Sequence, residues 1–256
     1  MISVSREDAV AVVTVDRQDA LNALDLPTLT ELRDRLLELR DDGDVHIVVL
    51  TGAGERAFIA GADIKYMSRL DVDGAQAWGD LGHNCAQLLE TMPKVSIAAV
   101  NGFALGGGCE LALACDLRYA STRAKFGQPE VNLAVIPGWG GTQRLARVCG
   151  LGVAKDLVLT GRVIDAEEAL RIGLVSTLCE PDELLDRVLA TARELGAKSP
   201  LALAAAKAAV NHSLQGDHVE NLTGEAERFA DLFASEDQKE GMAAFIEKRD
   251  ATFTGR

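Results

Sequence analysis

The stretch Asn101-Gly-Phe-Ala-Leu-Gly-Gly-Gly-Cys-Glu110 follows Val95 to Val100, an apolar run behind Pro93 that reads as a strand, and leads into a short apolar helix from Gly108 to Cys115. Three glycines between a strand and a helix let the backbone approach a ligand closely and take torsions that other residues resist. The first N–H groups of a helix have no partner inside it, so they can bind an oxyanion. Glu110 falls in the first turn of this otherwise apolar helix. An acid there complements the helix dipole, and on this stretch alone that is the better reading.

Outward from it, Val10 to Val15, rich in β-branched residues, and His46 to Thr51 read as two more strands. Between them Asp25-Leu26-Pro27 opens a helix with Leu29, Leu32, Leu36 and Leu39 on one face. Gln76 to Thr91 reads as a helix and Leu117 to Ala120 as a strand. Strands alternating with helices through the first two thirds predict α/β layering. After Asp182 the strand signals stop. Helical patterns then cover Glu183–Leu195, Pro200–Gln215, His218–Phe233 and Glu236–Asp250. Ser199-Pro200 predicts a cap followed by proline at the first helical position, and Ser235-x-x-Gln238 a capping box. The division expected is a core at 1–196 and a helical unit at 197–256.

With 256 residues the chain can bury a full-sized core. Its apolar content of 48% and charged content of 25% are ordinary for a globular protein. No stretch approaches the roughly 18 apolar residues of a membrane span, and Met1 to Glu7 lacks the basic start and apolar run of a secretory signal. Five cysteines, an odd number without Cys-x-x-Cys spacing, predict reduced thiols and a cytoplasmic location. A net charge of −13 disfavours a general nucleic-acid surface. It leaves room for a phosphate-bearing ligand held by local groups.

Two other glycine-rich stretches carry signals. Gly52-Ala-Gly-Glu-Arg-Ala57 loosely matches a dinucleotide fingerprint, but Phe58-Ile-Ala-Gly-Ala-Asp-Ile follows where a helix would have to start. No phosphate-loop motif and no Gly-x-Ser-x-Gly elbow is present, and the four histidines have no metal-ligand spacing. Phe126-Gly-Gln-Pro-Glu130 and Ile136-Pro-Gly-Trp-Gly-Gly-Thr-Gln-Arg144 form the third stretch. Alone, Glu130 reads as a loop carboxylate and the glycines as a turn.

Taken together, Phe58-Ile-Ala-Gly-Ala-Asp-Ile-Lys65, Asn101 to Glu110 and Phe126 to Arg144 resemble, in order and spacing, the three signature segments of the enoyl-CoA hydratase (crotonase) family. The resemblance extends to Glu240-Gly-Met-Ala-Ala-Phe-Ile-Glu-Lys-Arg249 and covers essentially the whole chain. It implies an α/β fold, a crotonase-like spiral of ββα units followed by an all-helical C-terminal domain, assembled as a trimer or dimer of trimers.

It also implies an oxyanion hole for a thioester carbonyl, made by the backbone N–H groups of Ala62 and Gly107. Hydratases of the family carry two glutamates, which match Glu110 and Glu130. Glu110 is expected to act as general base on water and Glu130 as general acid toward the α-carbon, with possible sharing of the water and of one proton. Ala60, Gly61, Ala62, Asp63, Ile64 and Lys65 are expected to touch coenzyme A, which is part of the substrate, so no separate cofactor and no metal is called for. Lys248 matches a position that reaches phosphate from a neighbouring subunit. Either lysine could equally be a solvated surface charge, Asp63 a plain helix cap, and Trp139 simple packing or a limit on acyl length. The activity implied is hydration of a 2-trans-enoyl-CoA to a 3-hydroxyacyl-CoA. Alternatives are a Δ3–Δ2 enoyl-CoA isomerase, which needs one carboxylate, and a silent relative acting as a binding subunit.

Overall fold

The computed structural model describes residues 1–213 and 215–256. A hairpin of β1 (Ile2–Glu7) and β2 (Val10–Val15) leads into α1 (Leu26–Asp41). Asp25 caps α1 by accepting the Thr28 N–H, and the four predicted leucines face the core.

From there one step is repeated three times: a long strand, a short strand, then helix. The first step is β3 (Ile47–Gly52), β4 (Ala57–Ile59), α2 (Ile64–Met67) and α3 (Val72–Thr91). The second is β5 (Val95–Val100), β6 (Phe103–Leu105) and α4 (Gly107–Ala114). The third is β7 (Leu117–Ser121), β8 (Lys125–Gly127), a 3-10 turn at Glu130–Leu133, α5 (Gly141–Cys149) and α6 (Leu151–Thr160). Then come β9 (Val163–Asp165), α7 (Ala166–Arg171) and β10 (Thr177–Cys179). The long strands, with the short β10 at one edge, join one sheet in the order β1-β2-β3-β5-β7-β10, and the other short strands a second, β4-β6-β8-β9. Pairing is parallel apart from β1–β2 and β8–β9.

The large sheet is covered on both faces, which is why β3 and β5 read as unbroken apolar runs. Val48 and Leu50 join the core under α1, α3 and α4, while Ile47, Val49 and Ile97 meet Leu184, Val188 and Ala192 of α8 (Leu184–Gly196). The helices α9 (Pro200–His212), α10 (His218–Leu232) and α11 (Glu236–Glu247) follow. Ser199 caps α9 as expected. Lys207 pins that helix to the core: its Nζ lies 2.8 Å from the carbonyls of Leu89 and Lys94 and from Asp116. Neither α9 nor α10 has a fully buried residue, in contrast to α8.

The structure adjusts several expectations. α3 begins at Val72, a turn before the expected Gln76, because Asp71 caps it through the Gly74 N–H. Ser235 accepts the Gln238 N–H, but Gln238 turns its amide to Met242, so only half of a capping box forms. The Gly52–Ala57 loop opens no helix and runs straight into β4. Asn101 and Asn22 satisfy its carbonyls, and a side chain at Gly52 would strike the Phe58 carbonyl oxygen at 2.2 Å. Leu214, the last turn of one predicted helix, lies outside the described residues.

Candidate active site

Residues of all three steps line a cavity of about 640 Å³, and four of its lining elements carry predicted residues. Ala60, Gly61, Ala62 and Ile64 come from the β4–α2 connection, Gly107 and Glu110 from the start of α4, and Glu130 from the 3-10 turn. Trp139 and Trp78 complete one side. The apolar residues Met67, Leu70, Leu133 and Ile136 border the remainder.

The β4–α2 connection is held in place from below. Leu24 pairs with it, donating to the Gly61 carbonyl at 2.9 Å and accepting from the Asp63 N–H at 2.7 Å. Asp63 both caps α2, accepting from Lys65 and Tyr66, and pairs with Arg17, which also holds Asp25. Asp63 is therefore the helix cap expected of it and, through Arg17, also a brace for this connection. Ala62 and Gly107 each present an N–H that donates to no other group among the described residues, and both border the cavity. Such paired donors suit an oxygen that gains negative charge.

The glycines of α4 are required for different reasons. Gly106 has φ +50°, and a Cβ there would lie 2.8 Å from a Glu130 oxygen. At Gly107 a Cβ would strike the Trp139 ring at 2.2 Å, and at Gly108 the Ile59 carbonyl at 1.9 Å. Close approach, rather than flexibility, dictates the last two.

Glu110 is only 2% exposed. One of its carboxylate oxygens accepts the N–H groups of Trp139 and Gly141, both at 2.7 Å. Burial raises its pKa, while those two donors and then Arg144 oppose the rise. Glu130 is half-buried and is pushed up to about 7, first by burial and further by the charge of Glu110, against its own N–H. A carboxyl near 7 can hold or release a proton at neutral pH. Gln128, fully buried, presents its amide nitrogen to both Glu130 oxygens, at 3.0 and 3.2 Å, in the orientation that satisfies its hydrogen bonds. It stands in the quoted motif, but the sequence reading assigns it nothing. A glutamine two residues before an acid, in an apolar setting, was the available signal.

Lys65 is exposed in α2 at the edge of this region and does not line the cavity. Lys248 ends α11, is exposed, and is not brought to the cavity within one chain. The indole of Trp139 lies between Gly82 and Gly107 and meets Trp78 edge-on at 5.2 Å, and Trp78 meets Tyr66 at 4.9 Å. Trp78 and Tyr66 are absent from the sequence-based expectations.

Residues 5–256 match the enoyl-CoA hydratase/isomerase family. The chain is 48% identical to a crotonyl-CoA hydratase of Syntrophomonas wolfei, over all of this chain and 98% of that protein. It is 48% identical to a short-chain-enoyl-CoA hydratase of Clostridium acetobutylicum, over 97% and 95%. An enoyl-CoA hydratase from Bacillus anthracis superposes with a TM-score of 0.96 at 38% identity, over 100% and 99% of the two chains.

Proposed function

The chain belongs to the enoyl-CoA hydratase/isomerase family, and from that membership and its paired carboxyl groups we infer that it hydrates the double bond of 2-trans-enoyl-CoA thioesters to 3-hydroxyacyl-CoA. It is an enoyl-CoA hydratase of the crotonase fold, acting in fatty-acid or related acyl-CoA metabolism. The observation that carries the reading is the pairing of Glu110 and Glu130 in one cavity beside two available N–H donors.

In the proposed reaction the Ala62 and Gly107 N–H groups take the thioester carbonyl and stabilise the enolate-like charge. Glu110, ionised, removes a proton from water as its oxygen attacks the β-carbon. Glu130 gives its proton to the α-carbon, in a syn addition. Nothing is oxidised or reduced, and coenzyme A enters and leaves with the substrate, so the chemistry calls for no separate cofactor or metal. The segment Ala60–Lys65 is proposed to touch the CoA moiety, with Lys65 near its phosphates. The relatives' names, together with the Trp78–Trp139 wall, support a short acyl chain.

Loss of enone absorbance with purified protein and 2-butenoyl-CoA tests this reading. Fast hydration, with no faster conversion of a 3-enoyl-CoA, is expected. Preference for the 3-enoyl-CoA would replace the hydratase with an isomerase, and no turnover of either would leave a binding subunit.

We also propose that residues 197–256 form an assembly unit. Phe245 is 86% exposed and Ile246, Val210, Val219 and Phe229 are also exposed, an apolar surface on helices with few buried residues of their own. On α9, Leu201 and Val210 are exposed while Leu203 packs partly on the core. A cyclic trimer or a dimer of trimers would cover this surface and carry Lys248 to a neighbour's CoA phosphates. Sedimentation showing a stable monomer at micromolar concentration would remove both ideas. A cytoplasmic location is proposed on the unpaired thiols; among the described residues no helix is long and apolar enough to cross a membrane.

A further inference from the structure

Glu110 depends on two N–H groups that come from a loop, not from its own helix. That loop, 138–141, contains three glycines around Trp139, so something outside it must fix its path. Arg144, in the first turns of α5, folds back and donates from Nη1 to the Trp139 carbonyl at 2.8 Å. The same guanidinium donates from Nε and Nη2 to one oxygen of Glu90, at 3.0 and 2.6 Å. Glu90 lies in the last turn of α3, and its own carbonyl accepts from the Asn211 amide of α9 at 2.8 Å. The guanidinium is mostly buried, and its planar fork can serve the carbonyl and the carboxylate together. Gly140, with φ +102°, permits the fold-back, since a Cβ there would collide with Arg144.

We propose that Arg144, tethered by Glu90, is a positioning residue for the catalytic base: it clamps the Trp139 peptide so that the Trp139 and Gly141 N–H groups converge on one oxygen of Glu110. This rests on the assignment of Glu110 as base. The clamp touches neither water nor acyl group; it acts by fixing donors 2.7 Å from the carboxylate. The Glu90 backbone is held by α9, so that helix is joined to the active site through a chain of four residues, Asn211, Glu90, Arg144 and Trp139.

The charged and titratable groups around Glu110 are Glu130 across the cavity, Cys109 beside it on α4, whose thiol burial pushes up, and Arg144 on α5. Of these only Arg144 favours the ionised base. Removing it takes away a positive charge and loosens two donors, and both changes raise the pKa of Glu110. The acid limb of kcat/KM, below which the base is protonated, must then move to higher pH.

The test compares Arg144→Met, Glu90→Gln and Glu110→Gln, each checked for native circular dichroism, on 2-butenoyl-CoA across pH. For Arg144→Met the expected result is a kcat lower by about ten- to a hundred-fold, the cost of misplacing a catalytic group. KM should be little changed and the acid limb should move upward. Glu90→Gln keeps an acceptor oxygen but loses the charge, so a smaller fall in kcat is expected, and it serves if Arg144→Met does not fold. A folded Arg144→Met enzyme with wild-type kcat and acid limb overturns the clamp, as does a Glu90→Gln enzyme that changes KM alone. If Glu110→Gln is inactive in that event, the base assignment stands and only the clamp falls. An active Glu110→Gln enzyme removes both.

Discussion

The two walls of the cavity are built on opposite plans. On one side stand Gly107, Glu110, Trp78 and Trp139, all buried, with Glu110 fixed by two backbone donors and Trp139 wedged between two glycines. The other side runs from Glu130 to Ile136. Its acid is half-buried and Ile136 is 70% exposed. The first wall holds a carboxyl whose geometry is over-determined, the second one whose proton is loosely held near neutral pH. A base must aim at a water already in place, whereas an acid must deliver a proton and recover it from solvent. The contrast supports the two roles proposed for Glu110 and Glu130.

The largest effect expected from breaking either wall is on turnover. Glu110→Gln and Glu130→Gln keep shape but cannot exchange the proton, so each should lower hydration of 2-butenoyl-CoA at least about a hundred-fold, with little change in substrate binding. Equilibrium binding of a saturated acyl-CoA beside the rate checks this, and a loss seen only in affinity would dissolve the distinction between the walls.

A smaller effect concerns chain length. Trp139→Ala opens the rigid wall and should raise the ratio of kcat/KM for 2-decenoyl-CoA over 2-butenoyl-CoA by about tenfold, on the scale of apolar discrimination. Leu133→Ala, on the exposed wall, should leave that ratio nearly unmoved. The reverse ranking would show that acyl length is read by the Glu130–Ile136 segment instead.

The smallest is a titration. Because Glu130 sits near 7 through burial and, secondarily, the charge of Glu110, the base limb of kcat/KM should fall near that pH as its proton is lost. In Glu110→Gln the neighbouring charge is gone. The Glu130 carboxyl, followed by infrared difference spectroscopy, should titrate lower than in wild type yet above an ordinary glutamate, since burial persists. An unchanged or higher value would mean the two walls do not sense each other.

Much of this is legible in the sequence. Strands such as β3 and β5 announce themselves because burial on both faces leaves continuous apolar runs, and α1 because its four leucines keep one period. The three-residue strands β4, β6, β8 and β9 carry no period, so the second sheet, and with it the repeated ββα step, is invisible except through family resemblance. At the site, the signature glycines and both glutamates stand in local motifs. Arg144 closes one of those motifs, but its partner Glu90 lies 54 residues away, and only the folded chain joins them. Trp78 escapes for the same reason, since packing alone gives it a role, whereas Gln128 stands in a motif but shows its use only once its amide meets Glu130.

In the proposed mechanism two carboxyl groups serve a single transition state, and the double variant Glu110→Gln/Glu130→Gln tests that most directly. Its turnover of 2-butenoyl-CoA should be close to that of the poorer single variant, because residues that act as a unit do not lose activity additively. A double variant slower than wild type by the full product of the two single losses, or a single variant that hydrates at the wild-type rate, would contradict it.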